Sequence, residues 1–140
     1  MDNKTSHTAT VTYLGDLRCN SVHEKSNNSY DTDAPLDNNG KGQAFSPTDT
    51  IAAGLASCML TVMGIKAIEL KVDLKSSVAN VTKVMAADPR RISAINVELH
   101  MAGNCDKRSQ LILERVALTC PVFNSLHPEM EKNITFNWNK

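Results

Sequence analysis

Polar and apolar residues alternate from Thr8 to Tyr13, with Ala9, Val11 and Tyr13 on one side and Thr8, Thr10 and Thr12 on the other. A period of two predicts a β-strand, which Gly15-Asp16 ends in a turn. Leu17 to Lys25 reads as the returning strand, and Tyr30 to Asp33 as a short third one. The stretch APLDNNGKGQAF, Ala34 to Phe45, is rich in Pro, Asn and Gly and predicts a loop.

The pattern changes at Ser46. Serine is a good N-cap, Pro47 suits the first helical position, and Asp49 completes a variant capping box. The helix is expected to run to about Leu70. It is apolar nearly all round from Ile51 to Ile65, which predicts burial on most sides. Ala52, Ala53, Gly54, Ala56 and Ser57 are small enough to admit other backbones closely.

Beyond it, Val78 to Met85 and Ile92 to Met101 read as strands joined by a hairpin-type loop at Asp88-Pro89-Arg90. In the second, Ile95, Val97, Leu99 and Met101 face in, and Asn96, Glu98 and His100 face out. Asp106 to Leu118 reads as an amphipathic helix with Leu111, Ile112, Arg115 and Leu118 at helical spacing. Pro121 opens a short further helix to about Leu126, and Asn133 to Trp138 closes the chain as an alternating strand. Strands, helix, strands, helices, strand is an α+β order, for which antiparallel pairing is expected.

Composition narrows the classes. A chain of 140 residues fits a single domain, residues 1–140. Acidic and basic residues balance at 15 each, so no electrostatic footprint points to nucleic acid or an anionic membrane. The N-terminal MDNKTSHTATV has no apolar core of a secretory signal. The uncharged run from Thr50 to Ile65 is shorter than a bilayer span requires. A soluble, cytoplasmic protein with no membrane partner is expected.

Four cysteines, Cys19, Cys58, Cys105 and Cys120, show no C-x-x-C pair, and the histidines show no metal spacing, so no metal is implied, and no phosphate-binding Gly-rich loop stands out. In a reducing compartment any bridge between these thiols would be transient chemistry rather than structural framework. Cys58 admits two readings: a small hydrophobe packed in a buried helix, or a nucleophile. It lies about three turns inside its helix, beyond the reach of the macrodipole, so activation would need a side chain brought in by the fold. Cys120, just before Pro121, would sit near a helix N-cap, where backbone N–H groups favour a thiolate; it could equally do no more than cap a break. On these grounds Cys120 is the more easily ionised thiol. Cys19 in a strand and Cys105 in a turn read as incidental. Arg18, following a turn, is either a solvated strand arginine or a cation aimed at chemistry.

Two stretches together resemble the OsmC/Ohr family of thiol-dependent peroxidases and its OsmC-like branch. FSPTDTIAAGLASCMLTVMGIKA, Phe45 to Ala67, is similar to the family's long central helix with its cysteine after small residues. LTCPVFNSL, Leu118 to Leu126, is similar to the Cys-Pro motif of its second cysteine. The resemblance implies an OsmC-like fold in which two chains intertwine as a homodimer. It implies that Cys58 attacks an organic hydroperoxide, that Cys120 resolves the product as a disulfide, and that an external dithiol reduces the bridge. It also implies that Arg18 stabilises the attacking thiolate, which reverses the ranking of the two thiols. The Ohr branch pairs that arginine with a glutamate near the start of the central helix. Here Thr48 stands at that place with Asp49 beside it, so Asp49 either substitutes or serves only as a cap. A largely apolar pocket including Leu55, Met59 and Phe123 would favour organic hydroperoxides. The alternative is an OsmC-like protein that senses redox state or binds a ligand without turnover.

Overall fold

Strand β1 (Ala9–Gly15) turns back onto β2 (Arg18–His23), which pairs with β3 (Ser29–Asp33), in the computed structural model, which describes residues 7–138. Both pairings are antiparallel, in the order β1-β2-β3. The hairpin turn is Asp16-Leu17, one residue later than expected, with φ of 53° and 64°. Two left-handed residues are what a two-residue hairpin loop needs to match strand twist. Leucine is an unusual choice there; its amide donates to the Tyr13 hydroxyl at 3.3 Å. The turn makes Arg18 the first residue of β2, opposite Gly15. Alternation in β1 predicted a strand but not a covered face, since Val11 and Tyr13 are both exposed. Burial appears instead at the end of β3, in Thr32 and Asp33.

Residues 34–45 form the expected loop, with one 3-10 turn at Leu36–Asn38. It folds back on β3. Gly42 donates to the Ala34 carbonyl at 3.2 Å and Asp33 to that of Phe45 at 3.0 Å. Gly40 is required by close approach, because a Cβ there would lie 1.7 Å from the Ala34 oxygen. These elements form one compact unit, ending at Thr50; a second begins at Ile51.

Helix α1 (Pro47–Leu70) starts as its sequence predicts. The Asp49 amide donates to Ser46 Oγ at 3.1 Å, and the Ser46 amide donates to Asp49 Oδ2 at 2.9 Å, the reciprocal pair of a capping box. The expectation of burial on most sides does not hold. Ala52, Leu55, Ala56, Met59, Met63 and Ala67 form one buried stripe, while Ile51, Ile65 and Ile68 are exposed. Among the described residues, one face of the helix is buried. The helix is long and apolar enough to cross a membrane by length and composition alone; its buried stripe belongs to the core of the second unit.

The sheet beneath is β4 (Val78–Ala86), β5 (Arg91–Met101) and β6 (Glu131–Trp138), with β5 central. Ile95, Val97, Leu99 and Met101 are fully buried, on the face that alternation predicted. The hairpin between β4 and β5 contains a cis Asp88–Pro89 bond. β4 and β5 are antiparallel, but β6 runs parallel to β5, which corrects the expectation for that pair. A parallel partner needs a long crossover, and residues 102–130 supply one through α2 (Lys107–Ala117) and α3 (Pro121–Ser125). Asn133 Nδ2 donates to Asn96 Oδ1 at 2.8 Å directly across this register.

The face of α2 also differs from expectation. Leu113 and Ala117 are buried, whereas Leu111, Arg115 and Leu118 are exposed. Apolar residues occupy 111–113 and 116–118, so spacing alone admitted more than one stripe. The chosen stripe continues in phase to Cys120, and all three residues join the core. Asp106 caps the helix, accepting from the Ser109 amide at 2.8 Å.

Candidate functional site

Cys58 projects from the flank of the buried stripe of α1, between Leu55 and Met59 on one side and exposed Ser57 and Thr61 on the other, and is itself half-buried. Cys120 lies at the N-cap of α3 with Pro121 behind it, as its Cys-Pro sequence suggested. Its backbone is extended, and its Sγ accepts the Phe123 amide at 3.3 Å. The fold brings the two thiols near enough that Cys58 helps to raise the pKa of Cys120, and both are free.

The expectation that the helix N-cap favours a Cys120 thiolate fails. Its pKa is raised, first because the sulfur is buried, and further by the neighbouring Cys58; the Phe123 amide pulls the other way and loses. A fully buried sulfur gives up the water that would solvate its charge, and one amide at a five-residue helix does not replace it. Cys105 is raised too, by burial and then by the Asp106 carboxylate, and Cys19 stands within β2 opposite Thr32.

In the first unit, Arg18 meets a carboxylate that the sequence did not single out. Arg18 Nε donates to Asp33 Oδ1 at 2.7 Å and Nη2 to Oδ2 at 2.9 Å, a bidentate fork. Asp33 Oδ2 also accepts the Gln43 amide at 3.0 Å, and Nη2 reaches Gln43 Oε1 at 3.3 Å. The Asp33 side chain is 1% exposed and that of Arg18 33%. The fork holds the Asp33 carboxyl below its ordinary range and raises the guanidinium above its own. Asp49, the acid that sequence reasoning weighed for this role, spends one oxygen on the Ser46 amide of the capping box. Asp33 was legible only through strand register: β2 and β3 place Arg18 and Asp33 directly opposite each other.

Leu55 and Met59 do not line an open pocket, since both have no exposed surface and belong to the core; Phe123 lies partly buried at its edge, under the ammonium of Lys132 at 5.3 Å. No group of three or more His, Cys, Asp or Glu side chains suited to a metal ion occurs among the described residues.

Two thiols brought near each other by a half-buried helix and a Cys-Pro turn, on an α+β scaffold, define a class of two-cysteine proteins. The family model of the OsmC-like proteins matches residues 40–135, and the chain belongs to that family. A protein of Psychrobacter arcticus 273-4, described as a candidate osmotic stress induced and detoxification response protein, is 47% identical. Its structure aligns over 98% of this chain and 100% of its own, with a TM-score of 0.93. The fold is shared by an OsmC-like protein of Mycoplasma pneumoniae, 18% identical over 100% of both chains with a TM-score of 0.79. It is also shared by an organic hydroperoxide resistance protein, OsmC, of Legionella pneumophila, 19% identical over 98% and 100% of the two chains with a TM-score of 0.67. No curated protein matches the sequence.

Proposed function

We propose that this OsmC-like protein reduces organic hydroperoxides through a dithiol cycle. The Cys58 thiolate attacks the distal peroxide oxygen, the O–O bond breaks, and the alkoxide leaves as the alcohol after taking a proton. Cys58 is left as a sulfenic acid. The Cys120 sulfur displaces the sulfenic hydroxyl as water, forming the Cys58–Cys120 disulfide. An external dithiol then exchanges with that bridge, returning two thiols and leaving as its own disulfide. Arg18 serves to stabilise the attacking thiolate, and no metal or organic cofactor takes part.

The observation that carries this reading is the interaction of Cys58 with Cys120, on two elements 62 positions apart, within an OsmC-like chain. Packing alone asks only for two small apolar side chains, and would not require both to be thiols. The raised pKa of Cys120 suits a resolving role, because it keeps this thiol protonated while Cys58 reacts first. The chain is proposed to work as a homodimer, with the exposed Ile51, Ile65 and Ile68 of α1 covered by the second copy. A reducing, cytoplasmic setting fits the four free thiols.

The experiment mixes reduced protein with cumene hydroperoxide, with and without a dithiol, and follows alcohol formation and the mapped disulfide. Sustained consumption that disappears in Cys58→Ser supports the proposal. A bridge that forms once, without turnover when dithiol is supplied, would make the protein a redox sensor instead.

A further inference from the structure

We infer that Asp33 is the positioning residue for Arg18, supplying from strand β3 the carboxylate that orients the guanidinium for the peroxide reaction; this rests on the proposed role of Arg18. The inference comes from the shape of the fork. Asp33 occupies Nε and one hydrogen of Nη2, and Gln43 Oε1 takes the other Nη2 hydrogen. A guanidinium has five N–H donors in one plane. Three are thus committed, and among the described residues no hydrogen bond runs through Nη1. The Nη1 edge is the part of Arg18 that these bonds leave over.

The clasp is built to keep that edge in one direction. Asp33 is buried and cannot swing to solvent, and it is tied to the loop by the Gln43 amide at 3.0 Å. Its backbone amide is tied as well, donating to the Phe45 carbonyl at 3.0 Å. A bidentate pair fixes both the position and the plane of an arginine, which a single contact would not. Arg18 retains about a third of its side-chain exposure, so it is anchored from one side and open on the other. An acid whose only task was to neutralise Arg18 would not need burial, two oxygens in register and a loop amide on its flank.

The two roles of a carboxylate predict opposite signs. If Asp33 positions Arg18, Asp33→Asn leaves the guanidinium free to turn, and Cys58 reacts more slowly. If it only neutralises Arg18, Asp33→Asn exposes more positive charge and Cys58 reacts faster. The test measures single-turnover reaction with cumene hydroperoxide across pH, together with alkylation of Cys58 at pH 7 read by mass spectrometry. The variants are Asp33→Asn, Asp33→Glu, Arg18→Met and the double variant, each checked for folding by circular dichroism. The expected result is about a tenfold loss in Asp33→Asn, with the pH profile displaced upward by about one unit. Asp33→Glu, which keeps the charge but lengthens the reach, should recover part of the rate. The double variant should be no slower than Arg18→Met alone, since Asp33 acts through Arg18. A rate unchanged or raised in folded Asp33→Asn, while Arg18→Met is slow, overturns the inference and leaves the dithiol cycle standing. An additive loss in the double variant overturns it too. Arg18→Met with wild-type rates would remove Arg18 from the mechanism and Asp33 with it.

Discussion

The Cys120 sulfur accepts the Phe123 amide at 3.3 Å, and burial nevertheless holds its thiol above the ordinary range. Two opposing effects meet on one atom, and desolvation wins. Cys58 adds to the upward push. Alkylation of Cys120 with iodoacetamide is therefore expected to be slow at pH 7 and to rise only in the alkaline range. In Cys58→Ala the rise should begin at lower pH, because one of the raising influences is gone. Mass-spectrometric rates against pH check both statements; an unmoved or higher midpoint would contradict the second.

Resolution can be separated from attack. Cys120→Ser is expected to consume one equivalent of hydroperoxide per Cys58 and then stop, leaving a sulfenic acid that dimedone labels. Multiple turnovers in this variant would mean that the external thiol, and not Cys120, completes the cycle.

The Arg18–Asp33 fork makes stability depend on acid. Asp33 has a lowered pKa in the folded chain, so its contribution is fully present above the ordinary carboxylate pKa of about 3.9. It is lost progressively as pH falls from there through the depressed folded value. Melting temperatures measured between pH 6 and pH 2 should drop more steeply in the native chain than in Asp33→Asn, with the two curves converging at the acid end.

The face that α2 buries is checked by a pair of substitutions. Leu113→Ala should cost about 2–5 kcal/mol of unfolding free energy, as expected for a leucine with no exposed surface. Arg115→Ala, on the exposed side, should stay within about 0.5 kcal/mol. Urea unfolding of both variants distinguishes this face from the one that residue spacing first suggested.

The proposed homodimer is tested on α1. Ile68 is 78% exposed and Ile65 60%. A charge placed there should leave the chain folded but shift it from dimer to monomer. Sedimentation of Ile68→Asp at micromolar concentration reads the result, and a native chain that sediments as a monomer would remove the covering copy altogether.

Much of the fold was legible because short-range rules governed it. Period-two alternation located β1 and β5 and chose the inward side of β5. Ser46, Pro47 and Asp49 set the start of α1, and Cys-Pro set the start of α3. These signals act over a few residues, where backbone geometry and capping bonds decide. The two cysteines were legible as candidates, and the family through the motifs that contain them.

Tertiary structure decided what depends on partners distant in sequence. Hydrophobic pattern could not say that α1 buries only one stripe, because nearly every side of it is apolar and only packing selects among them. It could not choose Leu113 over Leu111, nor the direction of β6, which follows from the helical crossover. The pKa of Cys120 was misjudged because a local N-cap is visible in sequence and burial is not. Asp33 was missed for a similar reason. Its place opposite Arg18 is a matter of strand register, and register belongs to the folded sheet rather than to either strand alone.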